Sequence, residues 1–217
     1  MCVLLATAMV PALTGCGQHP AAPAGTPARA LPANPGSPDP SAARPTPPSQ
    51  DVSVQGLPRS APERVEIPRL DIDAPLAVMG LTDTGSVDTP PFSEPRTAGW
   101  YGGSVTPGQN GTSVIVGHVD TTSGPAVFYL LSLVRHGDTI EVKRADRSTA
   151  VFTVDAIKVI PDSVFDDRQV YANTPRPELR LITCGGTFDR AAQEYTSNVV
   201  VYAHLTGAQK PAGTTIR

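Results

Sequence analysis

Every aromatic side chain of this 217-residue chain lies after position 91: one Trp, five Phe and five Tyr. The first 50 residues have none, and they carry 11 of the 24 prolines. A packed core needs large apolar side chains, so it can form only in the later part of the chain. That part is long enough for one domain of ordinary size. The net charge is −3 with the signs interspersed, which gives neither a basic footprint for nucleic acid nor a polybasic membrane patch. No apolar run reaches the roughly 18 residues of a spanning helix. Collagen, coiled coil, polytopic membrane protein and multidomain enzyme are excluded on these grounds.

Cys2 and Cys16 lie at the N-terminus and Cys184 lies far along the chain, an odd set that argues against a disulfide framework. Residues 3–13 are mostly apolar, the length of a signal-peptide core. They end in Leu13-Thr14-Gly15-Cys16, which resembles the lipobox of bacterial lipoproteins. That resemblance implies cleavage before Cys16 and acylation of its thiol and amine. No Lys or Arg precedes the apolar run, a departure from the usual pattern. An apolar leader with an incidental cysteine is the alternative. Either reading exports the protein, and two acyl chains hold a protein at a membrane far better than one. Residues 17–62 are rich in Pro, Ala, Ser, Thr and Gly and read as a semi-stiff disordered tether.

From about Glu63 the texture changes. Val65-Glu-Ile67, Leu70-Asp-Ile72 and Leu76-Ala-Val78 alternate, and longer β-branched runs follow at 113–118, 139–142, 150–160, 179–183 and 198–205. Turn residues separate them, as in Thr106-Pro-Gly-Gln-Asn-Gly111 and Arg135-His-Gly-Asp138. Residues 126–133 read as a helix, and short helices are expected near 163–167. Seven or eight strands with scarce helix predict an all-β closed barrel or sandwich over 63–207, with 208–217 as a tail. No glycine-rich phosphate loop supports nucleotide chemistry.

Cys184 ends an apolar strand before Gly185-Gly186, and His118 ends another in Val116-Gly-His-Val-Asp120. The two glycines leave room for a backbone or a substrate. A thiolate that attacks a carbonyl, with an imidazolium that protonates the leaving amine, is the minimal set for covalent acyl transfer. A core cysteine and a packed histidine are the competing readings. Metal binding finds no Cys-x-x-Cys or His-x-x-x-His pair, and no dense acidic cluster suggests calcium.

At these residues the chain resembles the sortases, and among them the class F sortases of actinobacteria. The likeness runs through Ala98-Gly-Trp-Tyr101, Pro107-Gly108, Val114-Ile-Val-Gly-His-Val-Asp120, Gly124-Pro-Ala-Val-Phe128, Gly137-Asp138 and Leu181-Ile-Thr-Cys-Gly-Gly-Thr-Phe-Asp189. It implies an eight-stranded barrel with one or two short helices and a cysteine transpeptidase. Such an enzyme cleaves a Leu-Pro-x-Thr-Gly-type sorting signal after Thr. It holds the acyl half as a thioester on Cys184 and passes it to an amine, from a peptidoglycan precursor or a pilin lysine. It needs no cofactor, and the chain is expected to act as a monomer anchored through its N-terminus at the outer face of the cell membrane. The resemblance also implies an arginine near the start of the strand after the cysteine. Tyr195-Thr-Ser-Asn198 has none there, so Arg190 is the local candidate, brought over the barrel rim by a glycine-led loop at 185–197.

Thr183 and Asp120 are candidate substrate contacts. Thr183 is equally a strand-end core residue, and Asp120 equally shapes a turn or orients His118. His136, His204 and His19 are not site candidates, and Trp100 and Tyr101 either line a groove or pack against the barrel end. Two further functions compete. An L,D-transpeptidase lacks support because no Ser-His-Gly-Cys segment is present. A catalytically inert exported barrel that binds peptide or wall draws support from the missing strand-start arginine.

Overall fold

The computed structural model describes residues 55–210. Cys2, Cys16, His19 and the tail after 210 lie outside the described residues, and with them the export and lipidation expectations and most of the tether. Eight strands close a barrel: β1 (Pro62–Ile67), β2 (Ile72–Met79), β3 (Ala98–Tyr101), β4 (Gly111–Val116), β7 (Thr139–Arg144), β8 (Thr149–Pro161), β9 (Pro177–Asp189) and β10 (Glu194–Gln209). Their order around the barrel is β1-β2-β3-β4-β9-β10-β8-β7. Two-residue strands β5 (Asp120–Thr121) and β6 (Gly124–Pro125) pair with each other outside it. The all-β expectation holds, and closure leaves the barrel without a free edge.

The long apolar runs that do not alternate have a structural cause. Ile115 of β4, Leu181 of β9 and Val201 of β10 belong to the core inside the barrel. Their neighbours Val116, Ile182 and Val200 form a second buried cluster with Val170 of the helix α1 (Asp167–Tyr171). At these positions the three strands are covered on both faces, so neighbouring side chains on both faces are apolar. Where only one face is covered, as in Thr139-Ile-Glu-Val142, alternation returns.

The chain that leads into β1 is already fastened to the barrel. Leu57 N–H donates to the Gly108 carbonyl at 2.7 Å, Ala145 N–H donates to Ala61 at 2.9 Å, and the buried Arg144 guanidinium donates to the Pro58 carbonyl.

Two local expectations are corrected. Residues 126–133 form turns that end in a single 3₁₀ turn at Leu131–Leu133, not a helix. The N–H groups of Tyr129, Leu131, Leu133 and Val134 donate to the carbonyls three residues back, on Ala126, Phe128, Leu130 and Leu131, so the segment closes tight turns and not an α-helical ladder. The second correction falls on 185–197. It is not a loop folded back over the rim, because β9 and β10 run on as a hairpin through the pairs Tyr195↔Phe188 and Glu194↔Asp189. Short helical pieces near 163–167 are present, a 3₁₀ turn at Asp162–Val164 followed by α1.

Candidate active site

The register of one strand pair sets the site. β4 and β9 are parallel, from Gly111↔Pro177 to Val116↔Ile182, and each pair is separated by 66 positions. His118 and Cys184 are also 66 apart, and each lies two residues beyond the last pair. Parallel pairing brings both strands out at the same end of the barrel, so the imidazole and the thiol arrive together. Gly117 N–H donates to the Ile182 carbonyl at 3.1 Å and carries the ladder one step further. Gly117 itself must stay small: a Cβ there would stand 2.7 Å from both Phe128 Cδ2 and Val127 Cγ1.

His118 and Cys184 line one cleft of about 890 Å³. Residues 118–122, residues 193–195 with Phe188, and Asp162 line it too, as does Asn198, which is paired with Cys184 across β9 and β10. Among the described residues, one hydrogen bond joins the 118–122 segment to the 193–195 segment. The Tyr195 hydroxyl donates to Asp120 Oδ2 at 2.6 Å, and Phe188 packs edge-on against the Tyr195 ring at 5.1 Å. Giving its proton to a carboxylate pushes the Tyr195 phenol up to about 12, with partial burial adding to the shift.

His118 is half-buried beneath the segment that precedes β3. Its Nε2 lies 2.7 Å from the Pro90 carbonyl oxygen, and the Phe92 ring stacks on the imidazole at 4.3 Å and 20°. A carbonyl only accepts, so Nε2 carries the proton in this arrangement. Although Cys184 opens to solvent, the cleft walls crowd its sulfur, and that partial burial pushes the thiol up. The carboxylates of Asp162, Asp120 and, least of the three, Glu194 push it the same way, against one backbone hydrogen bond that favours the thiolate. Asp162→Asn removes the carboxylate that acts most strongly on the thiol, so the pH midpoint for iodoacetamide alkylation of Cys184 is expected to move down. A midpoint that stays in place or rises contradicts that account.

The other candidates are placed as follows. Asp120 accepts from Tyr195 and has no hydrogen bond to His118. Thr183 is buried, and its hydroxyl has no partner among the described residues. Leu179 and Leu181 face the barrel interior and Ile182 the outer cluster, so alternation sends Thr183 inward and Cys184 outward. Arg190 is exposed in the turn between β9 and β10 and is not among the residues that line the cleft. Trp100 packs into the core, His136 is exposed, and His204 Nδ1 pairs with Asp155 at 2.7 Å.

Sequence reasoning missed Pro90, Phe92, Asp162, Tyr195 and Asn198. Tyr195 and Asp120 are 75 positions apart, and nothing local signals their bond. Asn198 was within reach, because pairing the strand after Cys184 back as a hairpin sets it directly opposite the cysteine.

A model of the sortase domain matches residues 65–206. Among solved structures, sortase A from Corynebacterium diphtheriae is similar at 23% identity and a TM-score of 0.53, over 73% of this chain and 66% of that one. Sortase C-1 from Streptococcus pneumoniae is similar at 24% identity and a TM-score of 0.51, over 67% of this chain and 66% of that one. Listeria monocytogenes sortase A is similar at 18% identity and a TM-score of 0.53, over 71% of this chain and 92% of that one. The chain thus spans about two thirds of the length of the Corynebacterium and Streptococcus structures. No curated protein sequence matches it. These structural likenesses carry the fold, and the family model spans well over half of the sequence, including both His118 and Cys184: the chain belongs to the sortase family.

Proposed function

We propose that the protein is a cysteine transpeptidase of the cell surface, acting on a Leu-Pro-x-Thr-Gly-type sorting signal. The observation that supports this reading is the β4–β9 register, which delivers His118 and Cys184 to one cleft. The Cys184 thiol gives up its proton to solvent, and Sγ of the thiolate, with His118 as the imidazolium, bonds to the carbonyl carbon of the signal's Thr. The carbonyl electron pair moves to oxygen. Collapse of that tetrahedral centre breaks the C–N bond, and the leaving amine takes the proton held on His118. For this His118 must exchange the Pro90 carbonyl for the departing nitrogen. An incoming amine then attacks the thioester, loses a proton to His118, and releases Sγ. A peptidoglycan precursor and a pilin lysine are the acceptor classes of this reading.

Within the family we assign the chain to class F, on Val116-Gly-His-Val-Asp120 and Thr183-Cys-Gly-Gly186. Anchoring by acylation of Cys16 completes the proposal. It holds the enzyme at the outer face of the membrane, where signal and acceptor meet. Labelling with an alkyne fatty acid tests it, since label that persists on Cys16→Ser removes the lipid from the account.

A second reading, a peptide-binding barrel without turnover, is favoured by one observation. No Arg or Lys is among the residues that line the cleft. Incubating the protein with a sorting peptide and an amine, then weighing the products, separates the two. Transfer product from wild type and none from Cys184→Ala supports the enzyme. Saturable binding with no product supports the module.

A further inference from the structure

Attack on a carbonyl builds negative charge on its oxygen, and some donor must face that charge. The resemblance to the family implies an arginine for that duty, and Arg190 is the local candidate. The strand register offers a different group. Asn198 of β10 is paired directly with Cys184 of β9, and residues opposite one another across an antiparallel pair present their side chains on the same face. Both line the cleft that holds His118.

The Asn198 carboxamide is also oriented. Its Nδ2 donates to Asp162 Oδ1 at 2.8 Å, and a carboxylate can only accept, so the amide nitrogen and not its oxygen faces Asp162. One N–H is used there, and the second finds no protein acceptor among the described residues. Asp162 acts on the Cys184 thiol as well, more strongly than any other carboxylate, so Asn198, Asp162 and the sulfur form one neighbourhood.

We infer that Asn198 is the oxyanion donor of this site, and that Asp162 is the positioning residue that aims it. The inference rests on the transpeptidase reading. As the Sγ–C bond forms and the carbonyl pair moves to oxygen, the free Nδ2–H donates to that oxygen. When the C–N bond breaks, the pair returns to carbon–oxygen bonding and the donor is released. A neutral amide in this role is physically sufficient, since loss of a single such side-chain donor lowers kcat by roughly 10²–10³-fold in an acyl-transfer enzyme.

The test compares two reactions of the same thiol. Cleavage of an internally quenched sorting peptide passes through an oxyanion. Alkylation of Cys184 by iodoacetamide displaces iodide at a saturated carbon and builds none. For Asn198→Ala, kcat is expected to fall about 10²–10³-fold with KM within about threefold of wild type. Its alkylation rate, taken at a pH where the thiol is fully ionised, is expected to stay within about threefold. Asp162→Ala leaves the amide present but unaimed, so it should lower kcat by a smaller factor, again with little change in KM.

Three results would overturn the inference. In the first, Asn198→Ala cleaves within about threefold of wild type while Cys184→Ala is dead; the transpeptidase then stands and its donor is elsewhere. If Arg190→Ala shows the large fall in that same series, the turn arginine holds the role. In the second, alkylation collapses together with cleavage, which makes Asn198 a structural prop of the cleft. In the third, wild type cleaves no sorting peptide, and the function on which the inference depends falls with it.

Discussion

Cys184→Ala is expected to lower cleavage of a sorting peptide by about 10⁴-fold or more while leaving the fold intact. The size follows from the role: without the nucleophile only binding and polarisation remain, and those retain a small part of an acyl-transfer enzyme's power. The fold survives because Cys184 is exposed at the barrel end and belongs to neither buried cluster. Unchanged far-UV circular dichroism and an unchanged melting temperature would accompany the loss. A variant that keeps even a tenth of wild-type turnover would remove the thioester from the account.

His118→Ala is expected to cost roughly 10²–10⁴-fold on the same peptide, the range for a positioned general acid. The stronger prediction is how that cost depends on the leaving group. An amine must be protonated as it departs, whereas a thiolate leaves unaided. A thioester analogue of the sorting peptide should therefore acylate Cys184 nearly as fast in His118→Ala as in wild type. Equal losses on amide and thioester would show that the imidazole shapes the cleft instead of moving a proton. Because Nε2 rests on the Pro90 carbonyl and Phe92 covers the ring, the variant also leaves a void beneath that segment. The thioester control separates this structural cost from the chemical one.

The barrel was largely legible because its strands carry β-branched runs, and because β4, β9 and β10 are covered on both faces along Val114–Val116, Leu181–Ile182 and Val199–Val201 and are apolar there. The nucleophile and the histidine were legible as strand-end residues, and a constant offset of 66 connects them to a parallel pair. Residues 126–133 misled because Val127, Phe128, Leu130, Leu131 and Leu133 have helical spacing, while the N–H groups of Tyr129, Leu131 and Leu133 bond to carbonyls three residues back and close tight turns. The arm after Cys184 misled for the opposite reason. Gly185 and Gly186 suggested a loop, yet both lie in the paired arm, and of the two only Gly186 has a positive φ, 77°, where a Cβ would stand 2.7 Å from Ser197 Oγ. The glycine lets the hairpin continue past the barrel rim, and that continuation carries Arg190 out to a turn and sets Asn198 beside the thiol. The Tyr195–Asp120 bond and the Pro90 and Phe92 contacts to His118 join separate segments and have no periodic signature.

The central claim is covalent, and mass decides it. The intact protein, mixed with a sorting peptide in the absence of added amine and quenched in acid, is predicted to gain the mass of the peptide up to and including its Thr. The added mass should map to Cys184 and disappear on treatment with hydroxylamine. A protein that turns the peptide over without ever carrying that mass, or that carries it equally in Cys184→Ala, would contradict the account.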